Sequence, residues 1–73
     1  MSKFEIPPEI QEVSRLLGRI EQTANDANQT ICMNGHEMAH SNIESIIKKL
    51  HIMTELAETS LEKLEKFKSN MEK

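Results

Sequence analysis

Apolar residues recur at spacings of three and four through most of this chain, but in two stretches whose phases disagree. Ile10, Val13, Leu17, Ile20, Ala24, Ala27 and Ile31 form the first stripe, widened at one end by Leu16. Ile43, Ile46, Ile47, Leu50, Met53, Ala57, Leu61, Leu64 and Met71 form the second, with Leu56 and Phe67 alongside. Alternating spacings of three and four keep one side of an α-helix apolar. Counted modulo seven, the first stripe occupies remainders 3 and 6 and the second mainly 1 and 5. Inserting three or four residues into a heptad pattern would not produce that shift, so one continuous helix of about 65 residues, roughly 97 Å long, is the weaker reading. The pattern predicts an all-α, antiparallel two-helix hairpin.

Local signals place its ends. Pro7-Pro8-Glu9 reads as a helix start, because proline is tolerated where its missing N–H is not needed and an early carboxylate suits the positive end of the dipole. Asn34-Gly35 reads as a C-cap, since both residues tolerate the left-handed conformation that ends many helices. Ser41-Asn42-Ile43-Glu44 offers a reciprocal N-cap between Ser41 and Glu44. The expected organisation is therefore a single small domain over 1–73, with helices at about 8–33 and 42–70 and a turn at about 34–41. Asn25, Asp26, Asn28 and Gln29 are poor helix formers around Ala24 and Ala27, which predicts either fraying or a close approach of the second helix. Glu44/Lys48 and Glu62/Lys66 are favourably oriented i,i+4 pairs on the wet side of helix two.

A chain of 73 residues buries only about 60 % of the surface its unfolded form exposes, so its core needs a supplement. Cys32 is the sole cysteine, which removes an intrachain disulfide and suits a reducing compartment. Self-association remains. Two hairpins packed as a four-helix bundle or coiled-coil homo-oligomer, a dimer by default, would bury Ile10, Val13, Leu17, Ile20, Ile43, Ile47, Leu50, Leu61 and Leu64, and Phe4 with Ile6 would form an arm over one end.

Charge and composition narrow the partners. Nine Lys+Arg against twelve Asp+Glu, spread over both halves, make no basic footprint for nucleic acid. Phe4 and Phe67 are the only aromatics, so base or sugar stacking is not expected. The N-terminus has no apolar run of signal-peptide length, and no segment reaches the roughly 18 apolar residues of a membrane span. The expectation is a soluble, cytoplasmic, non-enzymatic protein without a cofactor. It would bind another macromolecule, a protein being the expected partner, as an adaptor, chaperone-like factor or inhibitor.

Two constellations carry an alternative. His36-Glu37-Met38-Ala39-His40 spells H-E-x-x-H, the zinc-protease helix motif. Roughly 2 % of shuffled chains of this composition would contain it, and here it follows Asn-Gly at the break between stripes, without a third ligand or a cleft, so proteolysis is set aside. Cys32, His36 and His40 at i, i+4, i+8 would still offer a thiolate and two imidazoles to zinc if helical, with His51 or a second subunit completing the set. The plainer reading makes Cys32 a small buried hydrophobe and both histidines solvated turn residues. Arg15, Gly18 and Arg19 could hold a phosphate, carboxylate or nucleotide, whereas the plainer reading pairs Arg15 with Glu12 and tolerates Gly18 on the surface. Five methionines suit core filling, with Met33 and Met38 flanking the turn as candidates for an adaptable surface. The dense mixed charge from Glu55 to Lys68 reads as a solvated face, and no phosphate-loop, serine-hydrolase or C-x-x-C spacing occurs.

Overall fold

The computed structural model describes residues 6–72, which form two α-helices, α1 (Pro8–Asn34) and α2 (His40–Met71), packed antiparallel as a hairpin. α1 starts with proline in its first turn, as its sequence predicts, and the Pro7 carbonyl accepts from the Ile10 and Gln11 amides at 3.0 and 2.9 Å. The expected arm is described only at Ile6, which is half exposed and whose carbonyl accepts from Gln11 Nε2 at 3.1 Å; Phe4 lies outside the described residues.

Both turn signals work differently from expectation. α1 does end at Asn34, but Gly35 stays right-handed at φ −42° and ψ −44°, so no left-handed cap forms. Instead the Asn34 carbonyl accepts from the Glu37 amide at 2.8 Å, and the Asn34 side chain donates to the Thr30 carbonyl at 2.9 Å. α2 begins two residues before the expected start, with Ala39 as its N-cap. Asn42 Oδ1 accepts from the Ala39 amide at 2.9 Å, and alanine has no side-chain acceptor to reciprocate. The Ser41/Glu44 box cannot form from this start, because Glu44 sits too far into the helix to reach back to the cap.

The helices meet along rows spaced three and four apart. Val13, Leu16, Ile20, Thr23, Ala27, Thr30 and Asn34 of α1 are buried or half-buried, as are Asn42, Ile46, Lys49, Met53, Leu56, Ser60, Lys63 and Phe67 of α2. Val13, Ala27 and Ser60 are the most enclosed, at 3 %, 7 % and 5 % exposure. Ala27 at the seam explains the helicity of its polar stretch: a small side chain lets α2 approach there, and Asn25, Asp26, Asn28 and Gln29 point outward. The buried Ser60 hydroxyl donates to the Leu56 carbonyl at 2.8 Å, which satisfies it within its own helix.

Two lysines border the seam with their charges neutralised or solvated. Lys63 Nζ lies 3.1 Å from Glu12 Oε1 across the helices, and Lys49 Nζ donates to Ser45 Oγ at 3.0 Å. Glu12 therefore pairs with α2 and not with Arg15, and neither Glu44/Lys48 nor Glu62/Lys66 closes into an ion pair. With both carboxylate and ammonium substantially exposed, the Glu12–Lys63 bridge contributes at most about 1 kcal/mol. Its greater use is to mark register.

Gly18 has open space where a Cβ would stand, so Gly18→Ala should raise stability by about 1 kcal/mol through helix propensity and a smaller unfolded-state entropy, read as a higher denaturation midpoint. Gly35→Ala should gain less, because its Cβ would come 3.3 Å from the Ile31 carbonyl oxygen. Equal gains at both positions would contradict this geometry.

Candidate functional site

The most prominent feature of the hairpin is a broad apolar face that the helix pair does not cover. In two antiparallel right-handed helices, the rows one residue beyond the seam rows emerge on the same side of the pair. On α1 that row is Ile10, Leu17, Ala24 and Ile31, and on α2 it is Ile43, Leu50, Ala57, Leu64 and Met71. Ile47, Thr54 and Leu61 form a further row on the same side of α2, turned away from α1. The opposite side carries Glu12, Arg19, Asp26, Met33, Ser45, Ile52, Thr59 and Lys66, mostly polar. The hairpin is thus amphipathic as a whole, as well as helix by helix.

Exposure confirms that the face is open. Leu17 is 53 % exposed, Leu50 51 % and Leu61 56 %, and Ile31, Ile43, Ile47 and Leu64 all exceed 40 %. Among the described residues no large side chain is fully buried. Of the nine residues expected to bury in an assembly, Val13 belongs instead to the intrachain seam, Ile20 and Ile10 lie half-buried at its edge, and the remaining six stand on the open face. Thr54 does not interrupt it chemically, because its hydroxyl donates to the Leu50 carbonyl at 2.9 Å and leaves the methyl outward.

The molecule's dimensions say the same. Its principal extents of 53 × 23 × 12 Å describe one layer of helices. The radius of gyration is 16.8 Å, whereas a compact domain of this length would have about 11 Å. The accessible surface is 6196 Å², against about 4,600 Å² for a compact monomer of this mass. The difference exceeds the roughly 800 Å² that each partner buries in a standard protein–protein interface.

The alternative sites take a different form. α1 ends between Cys32 and His36, and the H-E-x-x-H segment spans the inter-helix turn up to the first residue of α2, so the helical spacing that would align its imidazoles is absent. Cys32, His36 and His40 are all exposed, which corrects the expectation of a buried thiol. An open hollow along the turn is lined by Cys32, Met33, Asn34, Gly35, His36 and Glu37, without His40. Among the described residues no three of His, Cys, Asp and Glu are grouped to hold a metal ion. Arg15, Gly18 and Arg19 are exposed on the outer and polar sides of α1, away from the apolar face. No described helix is long and apolar enough to cross a membrane.

Feature by feature, sequence reasoning located the outer residues but merged them with the seam. The missing signal was that α2 carries two complete three-four rows, one residue apart. Given the exposed geometry of the turn, added zinc should leave the melting temperature unchanged, and zinc uptake abolished by His36→Ala/His40→Ala would reinstate the metal site. No protein-family model, curated protein sequence or solved structure matches this chain.

Proposed function

We propose that this chain is a non-enzymatic helical hairpin that self-associates through its apolar face and acts by binding another macromolecule, as an adaptor, chaperone-like factor or small inhibitor. One observation carries the reading: the stronger apolar stripe of α2 points away from α1, on the same side as Leu17 and Ile31. Half-exposed leucine and isoleucine side chains each gain about 1 kcal/mol on full burial, and a contiguous set of them marks an interaction surface. A second helical layer turns this one-layer sheet of helices into a four-helix bundle.

Self-association leaves the opposite, mixed-charge face available. Met33, 78 % exposed, and Ile52, 44 % exposed, stand on it as isolated apolar points among charged residues. That arrangement suits recognition of a protein partner, with the flexible thioether adapting to its contour. A cytoplasmic location fits the exposed, unpaired Cys32.

Light scattering behind a sizing column, over a hundredfold concentration range with and without zinc, should give a zinc-independent dimer or larger assembly. Leu17→Asp/Leu50→Asp should dissociate it and lower its helicity together, since each places a charge on the shared face while leaving the intrachain seam intact. A variant that remains a folded oligomer would sink the proposed interface, and a wild-type monomer that stays folded at all concentrations would sink the reading itself.

A further inference from the structure

Two copies of one face related by a two-fold axis, which must lie in the plane between them, can stack with their helices aligned in only two ways. An axis along the helices sets α1 of each copy on α2 of the other. An axis across the helices sets α2 on α2 and α1 on α1, each pair antiparallel. We infer that the second copy docks in the latter way, with its α2 running antiparallel across α2. This rests on the self-association proposed above and specifies its partner and geometry.

The asymmetry between the two helices decides it. α2 offers two adjacent apolar rows to a neighbour, Ile43, Leu50, Ala57 and Leu64 in one, and Ile47 with Leu61 in the other. α1 offers one apolar row, bordered by Ser14, Glu21 and Asn28. The Glu12–Lys63 contact fixes which residues stand level along the hairpin, so Leu61 is level with Ser14, Thr54 with Glu21 and Ile47 with Asn28. If α1 covered α2, Ile47 and Leu61 of both copies would meet those polar side chains. If α2 covers α2, they meet apolar residues of the second copy, and Ser14, Glu21 and Asn28 remain along the wetter edge of the α1 pair.

Spacing and shape agree with the antiparallel α2 pair. The positions from Ile43 to Leu64 alternate four and three without interruption, which is the seam pattern of a coiled coil, and an antiparallel copy also presents an alternation of threes and fours. Thr54 stands near its midpoint, so each copy presents Thr54 and Ala57 to the centre and bulky residues to either side. The hydroxyl of Thr54 is already satisfied by Leu50, and a dry neighbour therefore leaves no polar group unpaired. Beside the seam, His51 comes near the second copy's Glu58, and the reverse contact repeats by symmetry.

Cross-linking distinguishes the arrangements. In full-length protein with Cys32→Ser, Thr54→Cys should link to itself through a bis-maleimide of about 10 Å span, the spacing of packed helices. Mixing the Thr54→Cys and Glu21→Cys proteins, each with Cys32→Ser, should give few mixed adducts. A dimer by light scattering whose Thr54→Cys form fails to link to itself overturns the inference, and efficient Thr54→Cys to Glu21→Cys adducts would establish the other two-fold. A monomer by light scattering would instead overturn the self-association on which the inference rests. Circular dichroism of each variant confirms that the helices persist.

Discussion

α2 carries two apolar rows side by side, and one neighbouring helix can cover only one of them. Much else in this structure follows from that limit. The row bearing Ile46, Met53, Leu56 and Phe67 faces α1, and the row bearing Ile43, Ile47, Leu50, Leu61 and Leu64 faces outward. Because α1 is also apolar beside its seam, at Leu17 and Ile31, the outward rows unite into one face of the hairpin.

The seam that α1 and α2 do share is unusually polar for the only core of a chain. Thr23, Thr30, Asn34, Asn42, Lys49, Ser60 and Lys63 occupy positions that a self-sufficient helix pair would fill with leucine or isoleucine. Most of these polar groups are handled locally: Thr30 and Ser60 donate to carbonyls one turn back and Lys49 reaches Ser45, while Lys63 reaches Glu12 across the helices. Such local solutions prevent a buried polar penalty and add little cohesion. They also bear on the alignment of the helices, since the small Ala27 and Ser60 are enclosed at the seam and the Glu12–Lys63 contact fits one register.

The fold was readable because helix starts, breaks and apolar spacing are local properties. Pro8 opened α1 and Asn34 closed it at the positions their chemistry indicates. The caps were less readable. A glycine after asparagine permits a left-handed cap without requiring one, and here Gly35 continues right-handed into a compact turn. Ser41 and Glu44 matched the pattern of a capping box, yet Asn42 took the role two residues earlier, with Ala39 at the cap. Which of several short polar residues wins a cap depends on where the whole turn settles against the seam, and spacing alone carries no such information. The division of Val13 and Ile20 from Leu17 was hidden for a similar reason: a stripe says that a side of a helix is apolar, but not how many neighbours that side must satisfy.

A hairpin with a polar seam and an apolar outer face leaves most of its large apolar side chains open to solvent. Helix formation in short segments is costly to nucleate and draws its stability mainly from packing an apolar face. For α2 that face is the outer one. If that face is buried by the proposed self-association, formation of the helices and their assembly become linked, so that the concentration of the protein would enter its stability as a ligand's does and dilution would weaken the fold itself. On that proposal the polar seam has a purpose: a weakly cohesive pair that is correctly aligned would present the outer face in register without being stable enough to persist with that face exposed. Substituting leucine at Thr23 and Ser60 to strengthen the seam would remove this dependence only if the added bulk fits where the helices approach. At Ser60, 5 % exposed, it does not fit without moving them apart.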